Sequence, residues 1–233
     1  MSKKTQHWII AAAVGCYFIF LVGMIWYFNR DTGESATQTD ATAIDVAGSD
    51  SNSADDSEIE MSEDFATLLE NGLIVQFEGN SLIFPCDYTD VLNEDDGWEV
   101  HGNGLYDSAV SFGQDSLGYE VLLYMPAEGT GDFDTLESNG CSGIGISLLD
   151  GKDVTVDTAP MFTISWITWG DSKEDIVSAF GEPGYTNEIA DDSGDVLYTY
   201  LLYQAEYEGR TYTMEFVTET GIGVVSMNFY YVE

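Results

Sequence analysis

The side chains that could carry out chemistry are few and widely spaced in this chain. His101 is the only histidine after residue 7, and Gly140-Cys141-Ser142-Gly143 is the segment closest to a nucleophile motif. A Ser-His-Asp site would have to use His101, yet no G-x-S-x-G nucleophile elbow occurs. One histidine and two cysteines beyond residue 30 are too few for a zinc site unless carboxylates complete it. The sequence therefore predicts no catalytic residue, no metal site and no cofactor.

Carboxylates are abundant, with 42 Asp and Glu residues. A glycosidase needs two of them across a cleft, but no motif singles out a pair. The acidic segments Asn93–Gly97 and Asp191–Asp195 lack the spacing of a calcium loop. They are read as turns, because Asp and Asn favour turn geometry, with weak calcium binding as the alternative.

Cys86 and Cys141 are predicted to form a disulfide, because paired cysteines usually bridge in an oxidising compartment. The closed loop of about 55 residues would contribute roughly 4 kcal/mol in the chain-entropy model. The alternative is two buried free thiols. Cys16 lies in an apolar run and cannot join this pair.

Tyrosines offer a second route to function, through binding. The C-terminal strands are rich in Tyr and Phe, and alternation places about half of these on each sheet face. The candidate binding face consists of Tyr198, Tyr200, Tyr212 and Tyr230, since Tyr suits interfaces. The alternative is that a second layer covers this face.

The elements that must position these residues are strands with a few short helices, an α+β class with antiparallel sheet. Ser62 begins a helix that ends at Asn71-Gly72, and Asp171 or Ser172 begins another that ends at Gly181. Glu174 or Asp175 closes a capping box there. Three strands follow, at 196–206, 210–218 and 222–232, which gives an α-β-β-β unit.

Earlier segments predict further strands and two hairpins. Strands are expected at 73–77 and 81–84 around Gly79-Asn80, and at 141–149 and 154–156 around Asp150-Gly151. Val100, 109–112, 119–125 and 162–169 are also strand-like, and 87–93 is a candidate helical turn. A loose likeness between 88–92 and 173–177 suggests duplicated halves, 61–160 and 161–233.

The segment Gly170 to Pro183, G-D-S-K-E-D-I-V-S-A-F-G-E-P, resembles the G-x-[ST]-x-x-[DE]-[VI]-x-x-x-[FL]-G-x-P signature of small α+β repeats. These occur in outer-membrane assembly lipoproteins and β-lactamase-inhibitor-type proteins. The resemblance covers residues 164–183, and the strands that follow come in the order expected for such a repeat. Phe77-Glu78-Gly79, Phe84-Pro85-Cys86 and Asp90 to Trp98 are similar to a hairpin and helix of uncharacterised membrane-anchored Gram-positive surface proteins. The resemblance implies binding or assembly rather than catalysis, and it carries over no binding residue.

An apolar run, residues 8–28, contains no Asp, Glu, Lys, Arg or His. As a helix rising about 1.5 Å per residue it would cross the roughly 30 Å hydrocarbon core of a bilayer. Lys3 and Lys4 predict a cytoplasmic N-terminus, residues 1–7, with the rest of the chain extracellular. A cleaved signal peptide and lipidation at Cys16 are the alternatives.

Residues 29–60 are expected to be a disordered acidic linker. Residues 31–60 hold nine acidic residues, no basic one and sixteen Ser, Thr, Ala or Gly. Such a composition cannot bury enough apolar surface to offset the entropy of ordering. The remaining segment, 61–233, holds 33 acidic residues against Lys152, Lys173 and Arg210. That charge excludes ordinary binding to nucleic acid, which needs basic surface.

Together these patterns predict a non-catalytic, single-pass, membrane-anchored extracellular domain that binds an unknown protein or envelope component. Its membrane partner is the bilayer, through residues 8–28. One alternative is a cell-wall hydrolase that uses paired carboxylates. Another is an accessory subunit of a membrane complex, whose helix pairs with a partner through Gly15 and Gly23.

Overall fold

The structure of the chain is a computed structural model that describes residues 59–93, 96–106, 108–114, 118–126, 132–149, 154–191 and 193–233. The predicted span 8–28 and almost all of the predicted linker lie outside these residues. No helix within the described residues is long and apolar enough to cross a membrane. The described part of the chain is α+β, with antiparallel sheets and short helices, as its sequence predicts.

The helices are α1 (Glu63–Glu70), α2 (Tyr88–Val91), α3 (Phe133–Asn139) and α4 (Lys173–Phe180). The first strands are β1 (Val75–Phe77), β2 (Asn80–Leu82), β3 (Glu99–Tyr106), β4 (Ala109–Gly113), β5 (Glu120–Tyr124) and β6 (Gly143–Ser147). The later strands are β7 (Phe162–Ile164), β8 (Tyr185–Ala190), β9 (Val196–Tyr207), β10 (Arg210–Glu219) and β11 (Gly223–Val232).

Eight strands form one antiparallel sheet in the order β3-β4-β5-β6-β11-β10-β9-β8. The first four follow one another along the chain and so do the last four, so the sheet consists of two four-stranded meanders. Their final strands, β6 and β11, pair with each other from Tyr230 opposite Gly143 to Ser226 opposite Ser147. Each meander follows a helix, α2 or α4, and the predicted duplication stays a prediction.

The helices cover one face of this sheet, called here the helix-covered face. Each helix buries a large apolar side chain against it: Phe65, Val91, Leu136, and both Ile176 and Phe180. The strands contribute alternate residues to the same core, among them Ile144, Leu201, Tyr203, Met214, Phe216 and Phe229. Strand periodicity therefore leaves the intervening side chains on the opposite face.

Helix α4 begins and ends where its sequence predicts. The Ser172 side chain accepts a hydrogen bond from the Asp175 backbone N–H, and the Asp175 carboxylate accepts one from the Ser172 N–H, which completes the capping box. Gly181 ends the helix with φ of 77°, a left-handed conformation that favours glycine. Ser62 caps α1 in the predicted way, by accepting from the Phe65 N–H.

A small sheet of order β2-β1-β7 packs into the same core through Val75, Phe77, Phe162 and Ile164. The predicted hairpin of β1 and β2 is confirmed, but its turn is Glu78-Gly79 rather than the predicted Gly79-Asn80, because Phe77 lies opposite Asn80. The predicted strand at 162–169 is too long, because the chain turns back at Ile164, whose N–H and carbonyl both bond to Ile167.

Other strand predictions need correction. Residues 154–156 form no strand, and the neighbours of β6 are β5 and β11. The sequence-based prediction lacks α3 and β8. Because β8 precedes β9, the C-terminal unit is α-β-β-β-β rather than α-β-β-β. The strands predicted at 196–206, 210–218 and 222–232 are confirmed as β9, β10 and β11.

Candidate functional site

The candidate site lies on the face of the eight-stranded sheet opposite the helices, called here the second face. Strand register assigns its members, because residues directly opposite one another share a face. Across strands β11, β10 and β9, one row of opposed residues consists of Tyr230, Thr213 and Gln204. The next row consists of Asn228, Glu215 and Leu202. The second face therefore carries polar and aromatic side chains, together with a small buried cluster of Tyr200, Leu202, Val217 and Val225.

Three of the four tyrosines in the predicted binding set share this face. Tyr198 and Tyr200 lie on β9 and Tyr230 on β11. Tyr212 does not, since it pairs with Ala205 and packs into the core against Phe229 and Tyr231 with 9% of its surface exposed. The two-residue turn after Tyr207 fixes this register, and it turns Tyr212 away from the second face.

A pair of stacked tyrosines marks the centre of the second face. The rings of Tyr124 and Tyr230 lie 4.3 Å apart between centroids and are nearly parallel, at 13°. They flank Gly143, the residue between them in the row across β5, β6 and β11. A Cβ on Gly143 would overlap the backbone of Tyr230, and one on Gly145 would overlap the Asn228 side chain. Glycine at these positions makes room for the side chains that form the site.

Glu215 lies beside this pair, 7% exposed. Its carboxylate accepts hydrogen bonds from Asn228 Nδ2 at 3.0 Å and from the Tyr230 hydroxyl at 3.2 Å. Burial raises the pKa of the Glu215 carboxyl above its usual range, although hydrogen bonds from Asn228, Tyr230 and Tyr200 act in the opposite direction. The result is a buried acid held by donors from strands on either side of it.

The polar centre is largely closed and the surrounding rim is more open. Gln204 and Thr213 are buried and bonded to each other through Nε2 and Oγ1 at 3.3 Å. The Ser226 hydroxyl is buried and has no hydrogen-bond partner among the described residues. Around this centre, half-buried or exposed side chains form the rim: Glu120, Leu122, Tyr124, Tyr185, Asn187, Tyr198, Glu206 and Tyr230.

His101 and Glu120 lie at the far end of the second face. Glu120 accepts a hydrogen bond from the buried Ser111 hydroxyl, and its other oxygen lies 3.3 Å from His101 Nδ1. The carboxylate therefore stands between the serine and the histidine. This order differs from a Ser-His-Asp site, in which the histidine contacts the serine directly.

The buried acid Glu215 is poorly spaced for glycoside hydrolysis with either Glu120 or Glu219. Glu120 and Glu215 are three strands apart in the sheet, which corresponds to about 14 Å. Glu219 is four residues along β10 from Glu215, about 13 Å. Both separations exceed the roughly 5 to 9.5 Å that paired catalytic carboxyls require. Within the described ranges, no group of three or more His, Cys, Asp or Glu could hold a metal ion.

Cys86 and Cys141 are brought together as predicted, but as thiols. Their backbones form an isolated antiparallel bridge, and their sulfurs lie 3.3 Å apart. A disulfide bond has a length of about 2.05 Å, so no bond joins them in this structure. The predicted disulfide therefore stays a prediction.

Two members of the site were missing from the sequence-based prediction, and both left a signal. Glu215 interrupts the apolar run Met214-Glu215-Phe216-Val217, the pattern of an acid in a buried strand. Tyr124 pairs with Gly143, and a glycine in a strand often marks close approach of a neighbouring group. Comparison with known proteins found no matching family model, no similar curated protein and no similar solved structure.

Proposed function

We propose that this chain is a non-catalytic, membrane-anchored extracellular domain that binds a basic protein segment through the second face. The observation that carries the proposal is the Tyr124–Tyr230 pair stacked beside a buried Glu215. Aromatic rings with hydroxyls provide contact area and hydrogen bonds together, as interfaces commonly require. The cellular location rests on the apolar run 8–28 and its flanking lysines.

The charge of the chain supports a basic partner. Formal net charge is −36, and the second face carries Glu120, Glu206 and Glu219. A surface of one sign attracts the opposite sign and raises the association rate, an effect that salt screens. Binding is therefore expected to weaken as ionic strength rises from about 0.05 to 0.5 M.

Site-specific photo-crosslinking would test this proposal. A photoreactive residue replaces Tyr198 on the rim of the second face in the full-length chain, expressed in intact cells. The matched control carries the same residue at Ile83, which is 83% exposed and follows β2 outside the eight-stranded sheet. We expect an adduct with a basic protein from position 198 that is weaker at high salt and absent from position 83.

Binding would be contradicted by equal adducts from both positions, or by none from Tyr198. Turnover of cell-wall glycan by the purified chain, lost in Glu120→Gln or Glu215→Gln, would instead support a hydrolase. Loss of the crosslink in Tyr230→Ala with an unchanged melting temperature would place the partner at the stacked pair.

A further inference from the structure

The two cysteines lie in a geometry that needs little change to form a bond. The N–H of Cys86 donates to the Cys141 carbonyl at 3.1 Å, and the N–H of Cys141 donates to the Cys86 carbonyl at 2.8 Å. An antiparallel pair that exchanges both hydrogen bonds holds its Cα atoms about 5.5 Å apart, within the range of disulfides. The sulfurs at 3.3 Å can therefore approach by side-chain movement alone.

The two sulfurs are not equivalent. Cys141 is completely buried, whereas Cys86 is half-buried and reachable from solvent. A hydrogen bond from the Cys141 thiol lowers the pKa of Cys86, and that same contact together with burial raises the pKa of Cys141. Because burial disfavours a charged thiolate, deprotonation is favoured at the less buried Cys86 sulfur, and a thiolate is the form that attacks disulfides.

The surroundings of Cys86 are acidic. Asp87 is the next residue and Asp90 lies one turn further along α2, and both repel negative charge on the Cys86 sulfur. Among the residues 84–92 there is no basic side chain to offset them. An incoming anionic disulfide meets the same repulsion, and a cationic one is attracted.

We propose that Cys86 and Cys141 form a thiol–disulfide exchange site that reacts with cationic disulfides in preference to anionic ones. Cys86 is the attacking thiol and Cys141 is the resolving thiol. This site lies on a different part of the molecule from the second face, and the inference does not depend on the proposed binding function.

The reaction balances in two steps. The Cys86 thiolate attacks a disulfide R–S–S–R, which forms a Cys86–S–S–R mixed disulfide and releases R–S⁻. The Cys141 thiol then loses its proton to the released thiolate, and its sulfur attacks Cys86, which releases the second R–S⁻. The proton that Cys86 gave to water on forming its thiolate is taken up by the second R–S⁻. The protein thus loses two electrons and two protons, and the co-reactant gains them as two R–SH molecules.

The test uses the purified full-length chain carrying Cys16→Ser, so that two cysteines remain. The rate of its reaction is measured with cystamine, which is dicationic, and with glutathione disulfide, which is anionic. Each rate is divided by the rate at which a small neutral thiol reacts with the same disulfide. We expect the normalised rate to be about tenfold higher for cystamine at low salt, and the ratio to approach one in 0.5 M salt. Mass spectrometry should identify a Cys86–Cys141 disulfide as the end product.

Variants separate the two roles. Cys141→Ser should accumulate the mixed disulfide on Cys86, whereas Cys86→Ser should leave Cys141 unmodified in the folded chain. Asp87→Asn with Asp90→Asn should reduce the preference for cystamine, and Glu206→Gln with Glu219→Gln, on the second face, should not.

Three results for the Cys16→Ser chain would overturn the inference: modification of Cys141 before Cys86, a reaction that stops at the mixed disulfide, or a normalised ratio near one at low salt. All three are measured with Cys86 and Cys141 both present, so they do not depend on the folding of Cys86→Ser or Cys141→Ser.

Discussion

The ionisation of Glu215 is coupled to the fold of the second face. Burial raises its pKa, so the folded state binds a proton more tightly than the unfolded state does. Its contribution to the free energy of unfolding is therefore largest below the usual pKa of a glutamate, about 4.3. That contribution is lost as the pH rises through the higher pKa of the folded state.

Glu215→Gln removes this proton equilibrium. The unfolding free energy of wild type minus that of Glu215→Gln should fall as the pH rises from about 4 towards neutrality, and then stay constant. Urea unfolding at a series of pH values measures this difference. Tyr230→Phe, which deletes one donor to the carboxylate, should extend the decline to higher pH. A difference independent of pH would show that Glu215 is not a titrating buried acid.

At the scale of elements, helix α4 depends on its first turn. Ser172→Ala removes the side chain that accepts from the Asp175 N–H, and caps of this kind contribute about 1 kcal/mol. Ser178→Ala, an exposed position in the same helix, is the matched control and should cost little. Chemical denaturation measures both, and equal effects would mean that the cap contributes nothing specific.

Strand β6 offers a second prediction, on the pairing of the two meanders. Gly143→Ala would force a Cβ into the backbone of Tyr230, and overpacking of this kind typically costs about 1–3 kcal/mol. We expect a lower melting temperature and a changed near-ultraviolet circular dichroism signal, because Tyr124 and Tyr230 could no longer stack across β6. An unchanged tyrosine signal would be evidence against this packing.

The elements that the sequence predicted correctly are those with strong local signals. Caps at Ser62 and Ser172 define two helices, and long aromatic strands define the C-terminal meander. Helix α3 buries only Leu136, so its apolar pattern was too weak to detect. Strand β8 lies at the sheet edge, and its alternating exposed residues give it a weak apolar signal. Residues 154–156 have the composition of a strand but do not join either sheet.

The candidate site was harder to predict than the elements, because its membership depends on register. Counting from the turn at Glu208-Gly209 places Tyr212 opposite Ala205 and hence in the core. A prediction based on alternation within each strand separately cannot relate β9 to β10 in this way. Tyr124 was missed for a related reason, since its partner Tyr230 is more than a hundred residues away along the chain.

On the scale of the whole molecule, orientation in the membrane is the main prediction. Lys3 and Lys4 before the apolar run 8–28 favour a cytoplasmic N-terminus. A broad-specificity protease added to intact cells should therefore degrade the segment after the run and leave an anchor fragment in the membrane. An intact cytoplasmic marker protein is the control. Full protection would reverse the orientation, and a mature N-terminus near residue 30 would indicate a cleaved signal peptide.

The pairing of β6 with β11 has a consequence for the origin of the molecule. The last strand of one meander, β6, pairs antiparallel with the last strand of the other, β11. Two identical subunits related by a twofold axis contact each other with the same geometry. If each meander descends from one ancestral unit, that ancestor could have built the same sheet as a homodimer. Fusion of two copies into one gene would then replace a concentration-dependent association with an intramolecular one. It would also free each half to diverge, and among the described residues the buried acid Glu215 lies in the C-terminal half.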